Sequence, residues 1–174
     1  MRKLLLTLLV LSACCFARAA GTCVISNVST TQIASQSTRL ADPGVVIVTL
    51  TCTADASAHT FPATTVPLSS PGVGLLNSYN LTGFVLYEVG RTPGTTEPTA
   101  NYTTTITDAD GFALDLGLLT TNGSASAAQL TPISSASAPY PVFPTVRSAL
   151  TVQISANSVD SAQITLDLIF KARI

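Results

Sequence analysis

Residues 164–174, with the sequence ITLDLIFKARI, carry the clearest pattern in this chain of 174 residues. Successive side chains of a β-strand point to opposite faces of the sheet, so apolar residues that alternate with polar ones indicate a strand with one buried face. Only Ile169 interrupts the alternation. The apolar face is formed by Ile164, Leu166, Leu168, Phe170, Ala172 and Ile174. We therefore predict a half-buried strand here.

Similar alternation predicts further strands, and no window shows a helical period. Turn-forming residues recur about every ten residues, which is the spacing of short antiparallel strands. The chain is therefore predicted to be all-β, with one antiparallel immunoglobulin-like β-sandwich over residues 20–174. The further predicted strands are 45–52, with Val46, Val48, Leu50 and Cys52 on one face; 112–119, with Phe112, Leu114, Leu116 and Leu118 on one face; 150–155; a weaker strand at 101–107; and a fully buried strand at 81–89.

Residues 1–19 have the features of a secretory signal peptide. Arg2 and Lys3 precede an apolar run, and Ala17 and Ala19 supply the small residues that a signal peptidase recognises. The apolar run is too short to span a bilayer. The sequence LSAC also matches a lipoprotein signal, in which Cys14 would become a lipidated N-terminus. The ordinary cut is favoured, and either cut predicts export.

The ordinary cut removes Cys14 and Cys15 and leaves Cys23 and Cys52. Two cysteines in an exported chain most simply form a disulfide, because that compartment is oxidising. Closing a loop of this length is worth on the order of 3–4 kcal/mol of stability in the chain-entropy model. A metal site is disfavoured, since two thiols and one histidine are too few ligands.

Charge and residue types exclude several classes of function. Loss of Arg2, Lys3 and Arg18 leaves five basic against nine acidic residues, so nucleic acid is not an expected partner. His59 is the only histidine, and no serine or cysteine has a base near it in a catalytic pattern. The sequence therefore predicts that the protein is not an enzyme and needs no cofactor.

The segment TDADGF, residues 107–112, is the sharpest local motif. Asp108 and Asp110 are weak candidates for Ca²⁺ ligands, because paired carboxylates before a glycine are typical of calcium loops. Ile106 occupies the position of the first ligand, however. A tight hairpin turn is favoured, since Asp-Gly supplies residues that tolerate positive φ between alternating strands.

Two loop segments are apolar, PGVGLLNSY at 71–79 and SAPYPVFPTV at 137–146. Exposed apolar loops can mark a contact surface, whereas the alternative is that these side chains fold back over the core. The candidate contact residues are Leu75, Leu76, Tyr140, Val142 and Phe143.

Several short motifs together resemble a known family. CVIS at 23–26 follows the leader, VIVTLTC at 46–52 ends on the second cysteine, YNL at 79–81 precedes FVLYE, and an alternating strand closes the chain. This arrangement resembles the spore coat protein U domain, a fold shared with subunits of archaic, Csu-type chaperone–usher pili. The resemblance implies an incomplete sandwich whose missing strand comes from a periplasmic chaperone and then from a neighbouring subunit, with assembly at an outer-membrane usher.

Only AGT, residues 20–22, would precede Cys23 after the ordinary cut. A donor strand needs on the order of ten residues, so we expect a subunit that accepts a strand without donating one. Such a subunit would pass through the periplasm to the cell surface, sit at a fibre tip and grip a hydrophobic surface. The alternative is a stand-alone secreted or lipid-anchored β-sandwich that binds a ligand.

Overall fold

A computed structural model describes residues 20–32, 43–72, 77–115, 128–130 and 142–172. All regular structure in these residues is β, which confirms the predicted fold class. The ten strands are β1 (Thr22–Gln32), β2 (Pro43–Thr53), β3 (Thr64–Val66), β4 (Ser69–Ser70), β5 (Tyr79–Asn80), β6 (Phe84–Pro93), β7 (Thr103–Asp108), β8 (Ala128–Leu130), β9 (Leu150–Ser155) and β10 (Gln163–Ala172).

The strands form two principal sheets, and every pair is antiparallel. The larger sheet has the order β1-β2-β10-β6-β8, and the smaller has the order β3-β9-β7. Strands β4 and β5 make a separate short ladder. Side chains from both principal sheets form one buried apolar cluster, so the architecture is a sandwich.

The centre of the larger sheet comes from the two most regular patterns in the sequence. Strand β10 pairs with β2 on one side and with β6 on the other. Leu166, for example, lies opposite Leu50 on β2. The predicted apolar face of β2 is buried at Val46, Val48, Leu50 and Cys52. The predicted face of β10 is buried at Ile164, Leu166, Leu168 and Phe170, whereas Ala172 is half-buried and Ile174 lies outside the described residues.

Strand β1 is held to β2 by a ladder and by a covalent bond. Cys23 lies directly opposite Cys52, and the two form the predicted disulfide. The Cys52 side of the bond is completely buried, as the alternation in residues 45–52 predicted. The bond therefore fixes the edge strand of the larger sheet to its core.

The prediction of a fully buried strand at residues 81–89 was wrong in two respects. Leu81 is buried but lies in a turn, where Gly83 has a φ of 79° and the Phe84 amide donates to the Leu81 carbonyl at 3.0 Å. Strand β6 begins at Phe84 and extends to Pro93. Its first half alternates between buried and half-buried side chains, because only one face of the sheet packs on the core.

The smaller sheet confirms strands near 101–107 and 150–155, but the prediction of a strand at 112–119 was wrong in its described part. Phe112 is exposed, whereas Leu114 is buried, so the two do not share a face. Only Ala113 makes a bridge, to Thr107. In the preceding turn the Asp108 carbonyl accepts from the Gly111 amide and the Phe112 amide donates to the Asp108 side chain, so these two backbone groups do not pair with each other as a regular ladder requires. Residues 116–119 lie outside the described residues.

Candidate contact surface

The TDADGF segment folds as a turn organised by one carboxylate. Asp108 Oδ1 accepts hydrogen bonds from the amides of Asp110, at 3.0 Å, and Phe112, at 2.9 Å. Gly111 has a φ of 84°, and its amide donates to the Asp108 carbonyl at 3.0 Å. Gly111 thus supplies the positive φ of the turn. No group of three possible metal ligands occurs among the described residues.

This turn projects Phe112 into solvent. Its side chain is 68% exposed, the highest value for a large hydrophobic residue in the described part of the chain. Two residues later Leu114 turns back into the core, and its amide donates to the Ile106 carbonyl at 2.7 Å. Backbone bonds on both sides of Phe112 therefore hold an aromatic side chain in water on a short, fixed turn.

A cleft of about 310 Å³ lies between this turn and the segment 144–147. Arg147 is exposed on one wall, and the largely buried Asp108 lies on the other. The remaining lining is mostly apolar and is formed by Phe112, Ala113, Leu114, Pro144 and Thr145. A cleft with apolar walls and a few polar groups is the usual form of a small-ligand site.

The segment 142–147 is fixed against the edge of β6. The Leu86 amide donates to the Pro144 carbonyl at 3.0 Å, and the Val146 amide donates to the Phe84 carbonyl at 2.8 Å. Val146 is buried. At Val146 this loop therefore folds back over the core, which is one of the two outcomes considered from the sequence.

The two described residues just before it, Val142 and Phe143, are exposed instead. Val142 is 37% exposed and Phe143 is 38% exposed. The ring of Phe143 stacks on Tyr87 with a centroid distance of 5.0 Å and an interplanar angle of 17°. Lys171 Nζ lies 3.1 Å from the centroid of the Tyr87 ring. We call Tyr87, Val142, Phe143 and Lys171 the aromatic patch; stacking and the cation–π contact hold it in one arrangement.

The sequence predicted part of this surface. Val142 and Phe143 are exposed, and their role in contacts stays a prediction; Leu75, Leu76 and Tyr140 lie outside the described residues, as does Cys14. Sequence reasoning missed Tyr87, Lys171, Phe112 and Arg147, because three were assigned to strand faces and Arg147 to no element. For Phe112 the available sequence signal was an aromatic residue directly after the turn-forming pair Asp-Gly.

His59 has a structural role in the described geometry. Its Nε2 lies 2.9 Å from Asp160 Oδ1, and its Nδ1 lies 3.1 Å from the Ser158 carbonyl oxygen. Asn157 Nδ2 donates to the His59 carbonyl at 2.7 Å in the same region. The ring therefore links two turns at one end of the sandwich, and both of its nitrogens are occupied by those contacts.

Comparison with protein-family models, curated proteins and solved structures found no match to this chain. The described residues contain no helix that is long and apolar enough to cross a membrane. The function is therefore inferred from the residues and geometry of this chain.

Proposed function

We propose that the protein is an exported structural or adhesive subunit of a surface pilus, which accepts a strand from another chain and touches hydrophobic surfaces through exposed aromatic side chains. The observation that carries this proposal is that Phe112 and Phe143 are exposed, while backbone hydrogen bonds fix the segments on which they lie. The sequence resemblance to the spore coat protein U domain adds the expected partners: a periplasmic chaperone, an outer-membrane usher and a neighbouring subunit.

The contact surface has the chemistry of adhesion rather than catalysis. Aromatic side chains bury a large area at little cost in conformational entropy, and here both rings are already positioned by their backbone. Lys171 and Arg147 add positive charge beside the aromatic rings. Such a surface suits an apolar substrate, since Asp108 and Asp110 in the adjoining turn offset that positive charge.

Strand acceptance is supported by how the two sides of the sandwich end. The outer edge of β1 is covered by side chains: Thr64 Oγ1 donates to the Cys23 carbonyl at 2.7 Å, and Asn77 Nδ2 donates to the Val28 carbonyl at 2.8 Å. On the opposite side, β8 contributes only three residues within the described part of the chain. Because carbonyl groups on the outer edge of β1 already have side-chain donors, we place the added strand on the side formed by β8 and β7.

Adhesion is tested by Phe112→Ser combined with Phe143→Ser, with Val24→Ser as the matched control. Val24 is also apolar and is 56% exposed, but it lies on β1 at the other edge of the larger sheet. We expect the double variant to lose most binding to hydrophobic beads, whereas the control keeps it. Equal binding by wild type and a folded double variant would refute the adhesive role.

Strand acceptance is tested by native mass spectrometry of the protein extracted from the periplasm of its own host. We expect a one-to-one complex with a chaperone-sized polypeptide. A folded, stable chain that is observed alone contradicts the pilus proposal. That result favours the second candidate, a stand-alone secreted or lipid-anchored ligand-binding sandwich, for which the cleft beside Arg147 is the specific support.

A further inference from the structure

Arg91 is the only basic side chain buried in the core of the described structure. It lies on β6, between Leu166 of β10 and Ala128 of β8, and it is 6% exposed. Its guanidinium carbon lies 5.8 Å from the centre of the Tyr102 ring on the facing side of the sandwich. An arginine guanidinium is planar, carries a delocalised positive charge and offers five N–H donors.

A β-bulge turns Arg91 inward. On β10, Phe170 pairs with Leu86 and the preceding residue, Ile169, pairs with Glu88. Tyr87 is therefore an extra residue on β6. Beyond this point the buried face passes to Val89 and Arg91. Without the bulge, strict alternation from Leu86 would put Arg91 on the outer face. Bulges that re-aim a side chain are frequent next to functional sites.

The buried charge has no counterion among the described residues. The one ion pair between described side chains joins His59 to Asp160, and Arg91 Nε has no hydrogen-bond partner. Residues 116–159 contain no aspartate or glutamate, so that long stretch holds no side-chain carboxylate for Arg91 whatever its position. Asp42 lies outside the described residues. The next residue, Pro43, is roughly 23 Å along β2 from Leu50. Leu50 lies opposite Leu166, and Leu166 in turn lies opposite Arg91.

Asp115 is the most deeply buried carboxylate among the described residues, and it binds a backbone amide of β7. Its Oδ1 accepts a hydrogen bond from the Ile106 amide at 3.1 Å, and its Oδ2 has no partner. Ile106 lies four residues beyond Tyr102, roughly 13 Å along an extended strand, and no ion pair between described side chains joins Asp115 to Arg91. Its free oxygen makes Asp115 the internal alternative that an experiment must test.

Tyr102 and Thr104 are two residues apart along one strand segment, so their side chains lie on the same face, and Tyr102 is the one that contacts Arg91. Tyr102 and Thr104 are both buried on the core side of the β7 segment, and neither Tyr102 Oη nor Thr104 Oγ1 has a partner. Burial raises the pKa of Tyr102, while the charge of Arg91 opposes that rise, so the phenol keeps its proton and remains a donor. Arg91 Nε, Tyr102 Oη and Thr104 Oγ1 are thus three buried polar atoms without a partner, and each can donate a hydrogen bond.

We propose that Arg91, Tyr102 and Thr104 form a binding site for a carboxylate, and that its ligand is an aspartate or glutamate side chain on the strand that completes the sandwich. A carboxylate accepts hydrogen bonds only, so it matches a set of donors and neutralises the guanidinium. The identity of the ligand rests on the proposed function; the carboxylate site itself does not.

The position of Arg91 in the sandwich determines where a strand from another chain would have to lie in order to reach it. Among the described strands, Arg91 pairs with β8 at one end of the larger sheet, and Tyr102 leads into β7 at one end of the smaller sheet. A strand added on this side would present alternate side chains to the core beside Arg91. An acidic residue at that position would be selected over an apolar one, because an apolar residue leaves the guanidinium unpaired.

The first test uses sodium acetate as the carboxylate probe on the full chain, with sodium chloride at equal ionic strength as the reference. The Nε–Hε resonance of Arg91 is identified by its loss in Arg91→Met and is followed through the titration. We expect a saturable shift with acetate only. Arg147→Met, which alters an exposed arginine, should leave that shift intact. A resonance that does not respond to acetate overturns the site.

Stability supplies a second measurement that does not need the variant to bind. An unpaired buried ion is destabilising, so Arg91→Met should unfold at the same temperature as wild type or higher in acetate-free buffer. Acetate should raise the melting temperature of wild type and leave that of Arg91→Met unchanged. A large loss of stability in Arg91→Met, or an Arg91 resonance that moves in Asp115→Asn without acetate, shows an internal partner and overturns the proposal.

A peptide pair tests the strand as the source of the carboxylate. The probes are synthetic peptides of roughly nine residues, alternating valine and threonine, with glutamate or glutamine replacing the central valine. We expect wild type to bind the glutamate peptide about tenfold more tightly, and Arg91→Met to bind both equally. Acetate binding without any peptide preference refutes the strand assignment, whereas strand binding that ignores both glutamate and acetate refutes the carboxylate site and leaves the proposed function standing.

Discussion

Reduction of the Cys23–Cys52 disulfide should lower stability by an amount that the sequence separation sets. The cysteines are 29 residues apart, and the chain-entropy model then gives about 3.6 kcal/mol. For a domain of this size, each kcal/mol shifts the melting temperature by roughly 2–4 °C, so we expect a decrease of about 7–14 °C. The effect arises mainly in the unfolded state, whose conformations the bond restricts.

The folded state should survive the reduction. Strand β1 remains paired to β2 along its length, and the register continues past the cysteines through Val28 and Val48 to Gln32 and Pro43. The pattern of backbone amide resonances in the native protein should therefore change only near Cys23 and Cys52. This separates the entropic argument from the alternative that the bond is required to form the sheet.

The assay is thermal unfolding followed by circular dichroism, with and without a reductant, and with free thiols counted to confirm complete reduction. The control is the double variant Cys23→Ala with Cys52→Val, which keeps an apolar residue at the fully buried position. The reductant should not affect the variant. An unchanged melting temperature in fully reduced wild type, or an equal decrease in the variant, would refute the reasoning.

Three further predictions concern the core and two turns. Leu50→Ala removes a fully buried side chain at the centre of the larger sheet and should cost about 3 kcal/mol in urea unfolding, whereas the exposed Thr51→Ala should cost less than about 0.5 kcal/mol. Hydrogen bonds from the Ala58 amide, the Ser57 hydroxyl and the Ser57 amide lower the pKa of Asp55 from 3.8 to about 2. A lowered pKa stabilises the fold above pH 3.8 and ceases to do so as the pH falls through about 2. The difference in melting temperature between wild type and Asp55→Ala should therefore be largest near neutral pH and decrease over that window; a difference independent of pH would contradict it. Gly111→Ala places a Cβ in open space but at a φ of 84°, so it should cost about 1 kcal/mol and Gly111→Asn less; equal stability of the two variants in thermal unfolding would show that the backbone is not strained there.

The strands that were predicted best are those whose signal is local. In β2 and β10 the alternation of apolar residues is nearly unbroken, and both strands lie at the centre of the larger sheet. The half-exposed segment at 112–115 was predicted less well, because its apolar residues follow a turn that redirects Phe112 to solvent and Leu114 to the core. Period-two spacing alone does not show that a turn has changed the direction of the chain.

The candidate contact surface was predicted only in part, because some of its residues have a local signal in the sequence and others are brought together by strand order. The unusual composition of the segment 137–146 drew attention to Val142 and Phe143, and both are exposed. Tyr87 and Lys171 come from strands that are distant in sequence, and they meet Phe143 only because β6 lies beside β10 and the segment 142–147 follows the edge of β6. Contacts of this kind depend on strand order, which composition does not reveal.

The sequence by itself determined the all-β class, the buried faces of β2 and β10, the pairing of Cys23 with Cys52 and the Asp-Gly turn. Each follows from the spacing of neighbouring residues or from the chemistry of a single pair. Tertiary structure alone decided that β10 lies between β2 and β6, and that the bulge at Tyr87 turns Arg91 into the core. The physical reason is that a bulge forms where two paired strands differ by one residue, so it is a property of the pair and of neither strand alone.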